Sequence, residues 1–206
     1  MTDPTDDAPT FDLRGRSDMS ETTVSDTDRA ASSRAPPASP AELLFPDLDE
    51  ELDATRTMLE RAPGEPAGWR PHEKSMTLAV LATHLAQLPG FPIQMLEHDE
   101  VEVPEPAGQP EGVADAAERL AVFDEASGEL RDLVERLTWD RAMQPWTLRI
   151  DGEVVLEGPR AALVRSAGFS HMAHHRAQLG VYLRMLDVPV PGTYGPSADE
   201  PWDGTP

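Results

Sequence analysis

PRAALVRSAGFSHMAHHRAQLGVYLRML, residues 159–186, contains no proline after its first residue and no strong breaker. It reads as one long helix. Gly158-Pro159 opens it, and Asp187-Val-Pro-Val-Pro-Gly closes it. Just upstream the apolar period changes. Trp146-Thr-Leu-Arg-Ile, Asp151-Gly152 and Glu-Val-Val-Leu spell a hairpin, because Asp-Gly accepts the positive φ angles of a type I′ turn.

Further out, three more helical patterns appear. Leu48, Leu52, Thr55 and Leu59 recur at helical steps until Ala62-Pro63-Gly64 stops them. Ser75 is placed to cap a second helix with Leu78, Leu81, Leu85 and Leu88 as its stripe, followed by further helix over 91–97. Residues 101–111, with Pro104, Pro106 and Pro110, read as loop. A long helix is expected over 112–138, with Val113, Leu120, Phe123, Leu130, Val134 and Leu137 inward. Ser39-Pro-Ala-Glu42 reads as a capping box on a short separate helix, interrupted by Pro46. The expectation is an all-α protein: a four-helix bundle with a small β-hairpin before the last helix. Too few strand patterns occur for a parallel α/β sheet.

Residues 1–40 are Asp-, Thr-, Ser- and Pro-rich, with only isolated large apolar residues, and read as a disordered acidic tail. Residues 41–190 form the expected helical domain, and 191–206 an irregular tail rich in Pro and Gly. The chain of 206 residues carries 38 acidic and 17 basic residues, a net charge of −21. A general electrostatic nucleic-acid binder is excluded, and adhesion to anionic lipid is disfavoured. No apolar run reaches a membrane span, and the acidic start lacks the apolar core of a signal peptide, so a cytoplasmic protein is expected. Lys74 is the single lysine, and arginine supplies the other basic residues. That bias fits either a GC-rich genome or adaptation to high salt.

Cysteine is absent, so there is no thiolate metal site and no cysteine nucleophile. Any metal must be held by histidines and carboxylates. Three of the six histidines, His171, His174 and His175, share the last helix. Positions four apart lie about 40° apart on a helix face. His171 and His175 can therefore hold one divalent transition metal, for which neutral imidazole is a usual ligand; His171 and His174 offer a second pairing. A third ligand must come from another helix. His84, at the edge of the second helix's leucine stripe, is the best placed, although a hydrogen bond would equally satisfy it. Gln178 faces the same way as His171 and His175, and either orients a ligand or makes an interior polar contact. His72 and His98 read as exposed. Three protein ligands leave coordination positions open, as in catalytic rather than structural zinc sites. No His-Glu-x-x-His, Gly-x-Ser-x-Gly or phosphate-binding glycine loop occurs.

HMAHHRAQLGVYLRMLDVPVPGTYGPSADE (residues 171–200) resembles the C-terminal signature of the DinB/YfiT-like proteins, in the branch ending in Tyr-Gly-Pro-Ser-Ala-Asp-Glu. WRPHEKSMTLAVLATHLAQLPG (69–90) resembles their second-helix region, and LDATRTMLERAP (52–63) matches their first helix more loosely. The likeness covers about residues 41–200. It implies a four-helix bundle of up-down-down-up connectivity, holding a divalent metal, often nickel or zinc, on three histidines. Carried over, these are His84, His171 and His175. His174 matches a histidine common in the branch that is not normally a ligand, which leaves it, with Gln178, to the surroundings of the site. Ala177 stands where relatives often have Gly, and the acidic N-terminal tail has no counterpart.

The family implies transfer of a low-molecular-weight thiol to an electrophile, and an open three-histidine site offers as the other form a metal-bound hydroxide that hydrolyses a small molecule. Its damage-inducible label describes induction rather than DNA binding. The alternative is a non-catalytic metal-binding stress-response bundle, in which the metal supports folding. Homodimers are common among such bundles, so a homodimer is a further expectation.

Overall fold

The computed structural model describes residues 38–104 and 111–201; of the disordered tail expected over 1–40, residues 1–37 lie outside the described residues, and Pro40 already belongs to the first helix. Ser39 caps a one-turn helix, α1 (Pro40–Leu44), with the reciprocal Ser39–Glu42 capping box. Helix α2 (Leu48–Arg61) follows and buries Leu48, Leu52, Thr55 and Leu59. Helix α3 (Leu78–Gln87) starts at Thr77, whose side chain accepts from the Val80 N–H, rather than at Ser75. Helix α4 (Gly90–Glu97) continues almost directly from it.

Two expectations about the middle of the chain are corrected. The helix expected over 112–138 is shorter: α5 (Ala116–Glu135) is capped by Asp115, and a separate turn α6 (Trp139–Met143) is capped by Thr138. Val113 precedes the helix and is only half-buried. The fold is also not all-α. Glu100–Val103, read as the start of a loop, is a strand, β1. It pairs in parallel with β2 (Pro145–Ile150), which pairs antiparallel with β3 (Glu153–Pro159). The result is a mixed three-stranded sheet of order β1-β2-β3 beside a largely helical structure, which replaces the bundle with a lone hairpin. The reason is physical. A two-stranded hairpin is marginal alone, and its free β2 edge takes the strand emerging from α4. The hairpin turn itself is as expected, with φ of 48° at Asp151 and 82° at Gly152.

The last helical run has three parts. Helix α7 (Arg160–Leu163) passes into a π-helical turn (Val164–Ser170) and then into α8 (His171–Met185). Helices α2 and α3 each pack on both α5 and α8, while α4 packs on α5 and the π turn. The core between them holds Leu52, Leu59, Leu81, Leu85, Phe123, Leu130 and Leu179, and Trp146 anchors the sheet edge-on to Phe91. Among the described residues, no helix is long and apolar enough to cross a membrane. Residues 187–201 run without helix or strand and fold back by hydrogen bonds, as where Asp199 accepts from Arg184 and from the Val190 N–H.

Candidate metal centre

The packing of α3 against α8 brings together His84, His171 and His175, which lie far apart in sequence. One ring nitrogen from each falls within 4.8 Å of the others. Ring centroids are 5.3 Å apart for His84–His171, 4.6 Å for His84–His175 and 4.7 Å for His171–His175. His175 is buried, and the other two are half-buried. Each imidazole is pulled below its ordinary pKa, first by burial. His175 is taken to about 4, although its hydrogen bond to Gln178 works the other way. At neutral pH all three rings are uncharged and present lone pairs.

The outward nitrogens fix which lone pair faces inward. His175 Nδ1 lies 2.7 Å from Gln178 Oε1, so Nδ1–H donates and Nε2 is left as an acceptor. His171 stands one helical turn before His175. Its Nε2 points at Nε2 of His175, 2.9 Å away. Two unprotonated ring nitrogens facing each other repel unless a cation or a proton lies between them. The spacing suits a cation. Cis ligands on bonds of ~2.0–2.1 Å stand roughly 3.0–3.4 Å apart. His171 and His175 therefore fit a divalent metal on chemistry and separation, and His84 brings a third neutral ring nitrogen within 4.8 Å of theirs.

No family model matches the chain. No curated protein matches it either.

The remaining candidates are placed differently. His174 is exposed, with its ring 4.9 Å from that of His175, outside the group of three. Gln178 touches His175 directly, which favours the orienting role over an interior contact with something else. His72 and His98 are exposed. A cavity of about 450 Å³ lies where α1 and α2 meet α5, lined by Ser39, Phe45, Leu48, Arg131 and Val134; none of the three histidines lines it.

Sequence reasoning missed the polar cluster on the opposite face of α8. Arg176, 2% exposed, donates to the Glu51 carbonyl at 3.0 Å and to Thr55 Oγ1 at 3.1 Å. Its Nη2 is 2.9 Å from Glu51 Oε2, in an ion pair without hydrogen-bond alignment. Tyr194 donates to Glu51 Oε1 at 2.8 Å, and its ring covers the Arg176 guanidinium. A signal was available: Arg176 and Glu51 fall in the core phase of their helices, with Met172, Leu179 and Leu183 on one and Leu48, Leu52 and Thr55 on the other. The cluster locks α8 to α2 beside His175 and so fixes the helix that carries two of the three imidazoles.

Proposed function

We propose that this chain is a divalent-metal protein of the DinB/YfiT-like kind, which uses an open three-histidine centre to act on a small molecule. The observation that carries this reading is the convergence of three neutral imidazoles, one of them, His175, with its outward nitrogen engaged by Gln178. His84, His171 and His175 would hold the ion, nickel or zinc by the family resemblance. When bound, it would supply Lewis acidity at the coordination positions that three protein ligands leave free. The chain does the rest. Gln178 holds His175 in the tautomer that ligates through Nε2. Burial keeps the rings deprotonated below neutral pH. The reaction is transfer of a low-molecular-weight thiol to an electrophile or hydrolysis of a small substrate. The acidic charge and the lack of any membrane-spanning helix among the described residues support a cytoplasmic setting without nucleic-acid or membrane partners.

The test has two stages. Elemental analysis of untagged protein should give about one divalent ion per chain, absent from a His171→Ala/His175→Ala variant. The loaded protein should then form a conjugate from thiol plus electrophile; cleavage of an ester or amide without conjugate would assign hydrolysis. No metal uptake in wild-type protein would end the reading.

A second reading is favoured by one observation: the cavity of about 450 Å³ between α1, α2 and α5 lies away from the triad. In that reading the ion only joins α3 to α8, in a non-catalytic stress-response protein. It predicts a large loss of thermal stability on chelation and no turnover with either substrate class.

A further inference from the structure

The C-terminal stretch Tyr194-Gly-Pro-Ser-Ala-Asp-Glu200 lies outside the metal centre, yet each of its polar side chains has a defined contact. Ser197 shapes the segment. Its Oγ donates to the Val190 carbonyl at 2.6 Å and accepts from the N–H groups of Asp199 and Glu200. The two carboxylates then reach different helices. Asp199 accepts from Arg184 of α8 at 2.6 Å, and Glu200 accepts at 3.0 Å from Arg61, the last residue of α2. Tyr194 meets the same two helices further back. Its hydroxyl donates to Glu51 Oε1 of α2 at 2.8 Å, and its ring centre lies 5.0 Å from the guanidinium carbon of Arg176 of α8. The segment therefore bridges α2 and α8 at two levels, roughly 12–15 Å apart along the helices at about 1.5 Å per residue. The two helices run in the same sense, since Glu51 meets Arg176 while Arg61 and Arg184 meet adjacent residues. Short loops join antiparallel neighbours, so a parallel pair needs its tie from elsewhere in the chain.

Tyr194 is itself 76% exposed, so its own burial contributes little. What it covers is buried: Arg176 and Glu51 are 2% and 8% exposed. Arg176 Nη2 and Glu51 Oε2 stand 2.9 Å apart, and neither atom makes a hydrogen bond. A pair held by charge alone depends on a low local dielectric, and water beside it screens the attraction several-fold.

We propose that residues 194–200 form a positioning clamp: they bridge α2 and α8 at two levels, and Tyr194 keeps water from the Arg176–Glu51 pair, which holds α8 and with it His171 and His175 in place. Tyr194 is thus a positioning residue that acts on the triad through α8. The inference rests on the metal-centre reading for its consequence, but not for the clamp, which is a property of the metal-free chain.

The test compares wild type with three variants. Tyr194→Phe keeps the ring, and Tyr194→Ala loses ring and hydroxyl together. Arg160→Met is the control for simple destabilisation, because Arg160 is fully buried but none of its side-chain hydrogen bonds reaches α2 or α8. ¹⁵N–¹H NMR of the metal-free proteins reads the Arg176 guanidinium protons. They should exchange slowly with water in wild type, Tyr194→Phe and Arg160→Met, and fast in Tyr194→Ala. Titration with cobalt(II) should give a Kd about 3- to 30-fold weaker for Tyr194→Ala, the span for residues that act on a site without touching its ligand. Tyr194→Phe should bind cobalt much as wild type does. Arg160→Met should too, despite an equal or greater loss of thermal stability. Slow Arg176 exchange in Tyr194→Ala overturns the proposal, and so does an unchanged Kd in that variant. A Kd that merely follows thermal stability across all three variants overturns it as well. Wild-type protein that takes up no metal would sink the metal reading, and Arg176 exchange then decides the clamp by itself.

Discussion

Burial keeps the triad neutral, and that has a sign that pH can test. His175 titrates near 4 in the folded chain, against about 6.5 for an unperturbed histidine. Between those values the unfolded chain binds a proton that the folded chain does not. Stability of the metal-free protein therefore falls as pH drops from 6.5 towards 4. His84 and His171, shifted the same way, add to the slope. The paired carboxylates Asp47, Asp99 and Asp199 are held below their ordinary range, so their loss comes at lower pH. Thermal midpoints of chelated protein across this window should fall, and a His175→Gln variant should show a shallower fall; parallel slopes would refute the assignment. Gln178 offers a second test at this scale. It accepts from Nδ1 of His175, so on the proposed metal reading Gln178→Ala should weaken metal binding about 10- to 100-fold while leaving one ion per chain at saturation. Competition against a calibrated chelator reads the difference directly, and an unchanged Kd would make Gln178 a bystander.

At the scale of elements, what the sequence revealed follows the range of the forces involved. The Ser39–Glu42 capping box, the end of α2 at Ala62-Pro63-Gly64 and the Asp151-Gly152 turn are set by neighbours in sequence, and each was legible. The phase of His171 and His175 was legible for the same reason, and His84 followed from its place on the leucine stripe. Strand β1 was not legible, because Glu-Val-Glu-Val becomes a strand only by pairing with β2 some 45 residues later. The π turn was not legible either, since the contact that seats it, Pro92 on Gly168, joins two distant elements. Arg160 shows the same limit. It is fully buried at the start of α7 and donates to the carbonyls of Met95, His98 and Arg141 and to the carboxylate of Asp99. One side chain thus ties α4, α6 and the entry to β1 together. An Arg160→Met variant fills similar volume but strands those carbonyls, at a cost of about 2–4 kcal/mol. That corresponds to a thermal midpoint lower by about 5–15 °C. Metal stoichiometry should survive, because none of the side-chain hydrogen bonds of Arg160 reaches α3 or α8. A loss of under about 1 kcal/mol in urea titration would show that water replaces the guanidinium without penalty.

For the molecule as a whole, the decisive quantity is a net charge of −21 on 206 residues. Two electrostatic effects compete when salt is added. Salt weakens surface ion pairs such as Arg56–Asp124, Arg131–Asp49 and Arg184–Asp199. Their side chains are substantially exposed, so each contributes little to stability. Salt also screens repulsion among the carboxylates, which outnumber all basic residues by 21 even after every arginine and the lysine is matched. Unmatched charge repels every other like charge within a Debye length, about 10 Å at 0.1 M and about 3 Å at 1 M, whereas a pair acts only once. Repulsion therefore outweighs pairing, and stability should rise with salt. Between 0.1 M and 1 M NaCl the thermal midpoint should climb by on the order of 5 °C, the size of a change of one to two kcal/mol in a domain of this length. KCl should act alike, because the effect depends on ionic strength rather than on the ion. Scanning calorimetry of the chelated protein in both salts makes the comparison without interference from metal binding. A midpoint that falls with salt would mean that the arginine–carboxylate pairs, exposed as they are, carry more of the fold than the excess charge takes away.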